Sequence, residues 1–261
     1  MPDLLESSAP AMNALALASA PEEDAPIDTF PYPPDNLLSD DGEPLESNWH
    51  VLAFQFLIAI IQYHRREQKN FFAGGNMFVY YSREQARDRD YRGPDFFLVN
   101  DVRPRPDRPY WAIWDEGGRY PDLVVELMSP TTRKSDLTTK FDIYEKIFST
   151  REYVAYDPKT HEILAWRKGE HGFQPILPDR HGHFPLLTAG LSIGNWVGKR
   201  YQYEATWLRF FDDEGNLILD QGEAELARAN AEKARADAET ARADALAAEL
   251  ARLQAQHPSP A

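Results

Sequence analysis

The sequence predicts a mixed α/β domain flanked by two segments of different character. Three observations carry this reading. Short β-branched or aromatic runs are bounded by Gly, Pro or Asn, two longer stretches show helical apolar spacing, and both ends break in composition from the middle. Ser47 is a good N-cap, and in the following NWHVLAFQFLIAIIQYHRRE apolar residues recur at Val51, Phe54, Leu57, Ile58 and Ile61, which predicts a first helix. NMFVYYS, PDFFLVN and DLVVELMS then read as three strands. SDLTTKFDIYEKIFST reads as a second helix, capped by Ser135 or Asp136, with Leu137, Phe141, Tyr144 and Phe148 on one face. EYVAYDP is a fourth strand, stopped by Pro158. The core order is therefore helix, three strands, helix, strand. HEILAWRKG, GFQPIL and LSIGNW add a β-rich extension, expected to pack on that sheet.

The ends are different material. Residues 1–45 are rich in Pro, Ala, Ser and acid and read as a largely disordered arm, the folded domain as 46–219, and 257–261 as a disordered end. Residues 220–256 form an alanine-rich helix. Ala227, Ala231, Ala234, Ala238, Ala241, Ala245 and Ala248 alternate spacings of four and three, a heptad seam, and ARAD recurs seven residues apart. An alanine seam buries little area, so a coiled coil there is weak unless Leu246, Leu250 and Leu253 anchor it. A solvated single helix and a helix that joins two copies into a homodimer are both open.

Composition removes several classes. With no cysteine, disulfides, thiolate zinc sites and cysteine nucleophiles are excluded, and a reducing cytoplasm is the expected compartment. No apolar run nears the roughly 20 residues that span a bilayer. The early AMNALALASA patch has no Lys or Arg before it, so no secretory leader is expected. The net charge of -14 is unevenly spread: residues 1–47 hold 11 acids and no Lys or Arg, whereas residues 48–219 hold 23 acidic and 23 basic residues. A neutral domain binds DNA through a local basic face or not at all. No GxSxG, phosphate-binding glycine loop or dinucleotide fingerprint is present.

Two acids sit where chemistry can use them. Asp95 begins the PDFFLVN strand, and Glu126 lies among Val124, Val125 and Leu127, where a carboxylate is costly to bury without a cation or hydrogen bonds. Asp122 shares the face of Glu126 but lies roughly 13 Å away, too far to share an ion, whereas an adjacent strand carrying Asp95 is about 5 Å away. Hard oxygen donors on neighbouring strands suit Mg²⁺, with Mn²⁺ as a substitute. Lys140, on the next helix in one stripe with Asp136 and Tyr144, offers a cation near a scissile phosphate. Each residue also has an ordinary reading: Asp95 as a turn residue, Lys140 as a surface lysine, Tyr144 as a half-buried aromatic. His50, one turn after Glu46, offers a ligand, an outer hydrogen bond or a capping role, and no second histidine sits at zinc-ligand spacing.

PDFFLV followed by PDLVVELMSPTTRKSDLTTKFDIYEKIFSTREYVAYDP, with YPPDN, DGEPLESNWH and AGGNMFVYYS upstream, resembles the Uma family of restriction endonucleases within the PD-(D/E)XK nuclease superfamily. The resemblance covers about residues 30–215. It implies a restriction-endonuclease-like core and metal-dependent cleavage of DNA, with Asp95 as the PD acid and Glu126 as the (D/E)XK acid. The superfamily's usual lysine would fall at Met128; the family pattern displaces it to Lys140. His50, Asp122, Ser129, Asp136 and Tyr144 match supporting positions. The expected mechanism has Asp95 and Glu126 holding Mg²⁺, with the Leu127 carbonyl as a third protein ligand. Arg87, Arg89, Arg92, Arg103 and Arg105 are candidate backbone contacts, or else a solvated loop. Two rival readings keep the fold without the enzyme. One is an inactive nucleic-acid- or protein-binding module assembled by the tail; the other is a scaffold whose tail does the work.

Overall fold

Ser47 opens the first helix as its spacing predicts: the hydroxyl accepts the His50 amide at 3.2 Å, and α1 runs Asn48–His64. The computed structural model describes residues 47–82, 85, 93–105 and 107–256, all within one compact unit. The N-terminal arm, Arg87, Arg89, Arg92 and the last five residues lie outside the described residues.

Eleven strands follow among the described residues: β1 (Phe71–Gly74), β2 (Val79–Tyr80), β3 (Phe96–Asn100), β4 (Trp111–Ala112), β5 (Leu123–Leu127), β6 (Glu152–Asp157), β7 (Glu162–Gly169), β8 (Gly172–Pro175), β9 (Phe184–Leu186), β10 (Leu191–Arg200) and β11 (Tyr203–Phe211). The main sheet has the order β1-β3-β5-β6-β7-β8, with β5 and β6 parallel and every other pair antiparallel. Between β5 and β6 lie α2 (Arg133–Asp136) and α3 (Thr139–Asp142), the latter running into a π-helical turn over Ile143–Ile147. A closing helix, α4, spans Gln221–Gln256. The mixed α/β class is as the sequence predicts. Among the described residues no helix is long and apolar enough to cross a membrane.

The central strands read as near-continuous apolar runs because both faces of the sheet are covered. Phe96, Leu98, Leu123, Val125, Val154 and Tyr156 pack with α1 and with Ile193, Trp207 and Phe210 of the second sheet. The alternate residues Phe97, Val99, Val124, Tyr153 and Ala155 pack with Ile143, Tyr144 and Phe148. By the same alternation Glu126 points to the α2–α3 side.

Four expectations need correction. NMFVYYS contributes only Val79–Tyr80, which pairs in parallel with Trp111–Ala112 outside the main sheet; the edge position goes to Phe71–Gly74. The chain leaves the sheet at Gly75 and at Asn76, whose φ of 48° is left-handed. The second helix is broken at Thr138 (φ -131°, ψ -83°), where its hydroxyl donates to the Lys134 carbonyl at 2.6 Å and competes with the helical ladder. The extension is split: β7 and β8 lengthen the main sheet, while β9, β10 and β11 form a separate antiparallel sheet. Finally, at 3.6 residues per turn Leu246 and Leu253 lie just over a third of a turn from the alanine seam and Leu250 nearly half a turn, so they do not extend it.

Candidate active site

Asp95 and Glu126 are brought together by strand register. β3 and β5 are antiparallel with Phe96 opposite Val125, so one residue further out Asp95 becomes the neighbour of Glu126. The Asp95 backbone is seated against Gly75, where a Cβ would collide with the Asp95 carbonyl oxygen. Its carboxylate is fixed at both ends: Oδ2 accepts the Leu127 amide at 2.7 Å, and Oδ1 lies 2.6 Å from His50 Nε2. His50 therefore spans from the first turn of α1 to the start of β3. Glu46, its expected neighbour, lies outside the described residues.

Glu126 is only 1% exposed. Tyr144 donates to its Oε1 at 2.5 Å, and Lys140 Nζ stands 3.1 Å from Oε2 and 2.9 Å from Asp136 Oδ1. Those two carboxylate oxygens are at ion-pair distance from Lys140, yet neither accepts an aligned hydrogen bond among the described residues. The break at Thr138 does not disturb the Asp136–Lys140 spacing, and the π turn carries Tyr144 over Glu126. π turns of this kind recur at functional sites.

Burial pushes the Glu126 carboxyl up to about 8; Lys140 opposes this, Asp95 and Asp136 add to it, and the Tyr144 hydrogen bond opposes it. Burial also pulls on the Lys140 ammonium, but the charges of Glu126, Asp136 and Asp95 outweigh it and hold that group above its ordinary value. The Tyr144 phenol is raised by its burial and then by Glu126. Among the described residues, the carboxylates of Asp95, Glu126 and Asp136 thus share one lysine, Lys140.

Asp122 and Ser129 lie outside this cluster. Asp122 accepts the Asn100 amide at 2.7 Å and faces Arg151 at 3.4 Å, a strap at the far end of β5. Ser129 accepts the Thr131 and Thr132 amides and starts α2. Of the arginines, Arg103 and Arg105 are exposed, with Arg105 3.7 Å from Asp107 and 3.9 Å from Glu116. The loop is pinned by the buried Arg108, which grips Glu116 through two nitrogens and also donates to the carbonyls of Arg103 and Arg105.

Sequence reasoning passed over Trp49, which with His50, Met128, Ser129, Arg133 and Lys159 lines a cleft of about 270 Å³ beside the Asp95–His50 pair. It also passed over the basic run at the end of α1, Arg65, Arg66 and Lys69, whose signal is a local excess of charge in a neutral domain.

Two carboxylates at adjacent strand ends of a mixed sheet and a lysine on the following helix thus form one buried acid–lysine cluster. Residues 36–198 match the Uma2 family, described as "putative restriction endonuclease". That match spans more than half of the chain, and the protein belongs to this family. No curated protein matches the chain. Among solved structures, the crystal structure of a "putative nuclease belonging to DUF820" from Anabaena variabilis ATCC 29413 is similar to it. The sequence identity is 15%, the TM-score is 0.42, and the likeness covers 56% of this chain and 76% of that one.

Proposed function

We propose that this protein is a Mg²⁺-dependent endonuclease that hydrolyses phosphodiester bonds in DNA. The observation that carries the reading is Glu126 Oε2, a buried carboxylate oxygen without an aligned donor, beside Asp95 and facing a single lysine. The donor set suits the ion. Mg²⁺ takes one or two carboxylates and keeps several waters, and among the described residues no group of three His, Cys, Asp or Glu side chains has metal-holding geometry. Asp95 and Glu126 would hold it; when bound, it supplies Lewis-acid charge at the phosphate and lowers the pKa of a water.

The chain's own groups do the rest. His50 and the Leu127 amide orient Asp95, so that its carboxylate needs little reorganisation. Tyr144 occupies Glu126 Oε1 and leaves Oε2 facing the site. Lys140 offsets the negative charge that grows on the phosphate oxygens in the transition state, and Asp136 holds its ammonium in place. A cysteine-free chain suits the cytoplasm. The exposed α4 is read as an assembly helix that pairs with a second copy.

One observation favours the inactive-module reading: Lys140 itself closes on the open oxygens of both Glu126 and Asp136. Plasmid nicking separates the two. Wild type is expected to nick with Mg²⁺ or Mn²⁺, and Lys140→Ala to lose about 10²–10³-fold in kcat while still binding the cation. Equal loss of turnover and cation binding in Lys140→Ala would remove the role given to that lysine. Salt-dependent DNA binding by wild type without any nicking would favour the inactive module.

A further inference from the structure

A groove of about 390 Å³ runs between the end of α1 and the outer edge of β1, far from the acid cluster. Arg65, Arg66, Lys69 and Arg105 line it, with Gln62 and Gln68 between them and no carboxylate in its wall. Arg65 anchors it and is buried, donating to Asn100 Oδ1 at 2.6 Å and to the carbonyls of Thr188 and Ala189 at 2.9 and 2.7 Å. The other three cations are solvent-facing, with Arg66 donating to the Tyr63 carbonyl at 2.9 Å and lying over the Tyr63 ring. Arg66 is 3.8 Å from Glu67 and Arg105 3.7 Å from Asp107, contacts worth little at an exposed surface, and Arg105 lies 3.9 Å from the largely buried Glu116, which Arg108 already holds. Lys69 has no carboxylate at ion-pair distance among the described residues.

We propose that this groove carries the phosphate backbone of the nucleic acid that the acid cluster cuts. The proposal deepens the nuclease reading and rests on it for the identity of the polyanion. Three arguments favour a backbone over a single small anion. The cations line an open trough and do not converge on one buried point. The α1 cations and Arg105 come from separate segments, as contacts to successive phosphates require. The whole chain is acidic at -14, so attraction of a polyanion needs a local groove of this kind.

Its place in the fold sets the spacing. β1 and β3 are antiparallel with Phe71 opposite Asn100, so the groove flanks the Asn100 end of β3, five residues from Asp95. That is roughly 16 Å at about 3.3 Å per residue. At about 3.4 Å per nucleotide of one strand, the groove meets the backbone no fewer than about five nucleotides from the cut. The groove also explains how Arg105, a candidate contact by sequence, acquires partners from a helix forty residues earlier.

The test is fluorescence anisotropy with a labelled DNA duplex in EDTA, where binding is read without cleavage, from about 50 to 200 mM salt. The variants are Arg66→Glu/Lys69→Glu and, as a control for charge alone, Lys199→Glu on the second sheet. Arg65 is left intact because it holds the fold. The double variant is expected to bind at least about 100-fold more weakly at the lower salt, with the salt slope reduced by about two, and the control to stay within about twofold. Wild-type affinity and slope in the double variant, an equal loss in the control, or no duplex binding by wild type would each overturn the proposal. So would displacement of the duplex by inorganic phosphate at equal charge concentration, which would show an anion pocket in place of a backbone track. The two readings fail separately. Binding lost in the double variant of a protein that never nicks leaves the groove standing without the nuclease. Nicking by the double variant with wild-type KM leaves the nuclease standing without the groove.

Discussion

Glu126 shows how a residue that is wrong for its strand is kept. Its carboxyl titrates at about 8 because burial and the acids Asp95 and Asp136 outweigh the help of Lys140 and Tyr144. The folded-state value lies above the ordinary 4.5, so the folded protein holds a proton that the unfolded chain releases. That contribution is complete below about pH 4.5 and is lost as pH rises through 8. Wild type without metal is therefore expected to lose stability between about pH 5 and pH 8, on the order of a few kcal/mol in all, and to level off above that. Glu126→Gln keeps the shape, removes the titration and should flatten that slope; thermal melts across about pH 5–9 read it directly. An equal loss in both proteins would place the strain elsewhere. The same residue was the most legible one in the sequence, because an acid within LVVEL has few ordinary explanations. Asp95 and Lys140 were legible only jointly, and the partners of Asp122, in β3 and at Arg151, were not legible, because sharing a face with Glu126 says nothing of them.

At the scale of elements, what pattern could not read was set by partners distant in sequence. FFAG is a weaker strand signal than NMFVYYS, yet it takes the edge of the main sheet because Gly75 lets the backbone approach Asp95, and the left-handed Asn76 then turns the chain away. The break at Thr138 was equally hidden, since Leu137, Phe141, Tyr144 and Phe148 keep helical spacing across it. The start of α4 carries a signal that was present but unread: Asp220 and Glu223 form a reciprocal capping box, each side chain accepting the other's amide. Glu223 also pairs with Arg209, a fully buried arginine stacked over Phe56 and Trp196. Glu223→Ala removes the cap and leaves that guanidinium without its ion-pair partner, an expected loss of about 3–5 kcal/mol in urea unfolding. A loss below about 1 kcal/mol would mean that Asp220, which pairs with Arg200, neutralises both arginines.

Over the whole molecule, charge and exposure separate the roles of the parts. The acid excess sits in the N-terminal segment and the tail, the folded middle is balanced, and the carboxylate-free groove described above lies within that middle. The long helix is exposed over nearly its whole length beyond the first turn, with Leu246 at 64% and Leu250 at 57%. In the register of its alanines, with Ala231, Ala238 and Ala245 at a, Arg235 and Arg242 fall at e and Asp237 and Asp244 at g. A parallel pair then sets Asp237 of one copy against Arg242 of the other, whereas an antiparallel pair opposes like charges. Because alanines bury little area, the pairing should be weak, with a dissociation constant no tighter than about micromolar. Sedimentation over a concentration series is expected to show a monomer–dimer equilibrium that Asp237→Arg shifts to monomer; a wild type that stays monomeric throughout would mean that the helix is solvated alone.

The central claim is that Asp95 and Glu126 hold a catalytic cation. The measurement that meets it most directly is calorimetric titration of Mg²⁺ and Mn²⁺ into wild type, Asp95→Ala and Glu126→Ala at pH 8, with melts to show that each variant is folded. The account predicts saturable binding by wild type and none by either folded variant. Heats that are flat for wild type into the millimolar range, or binding that survives both substitutions, would contradict it.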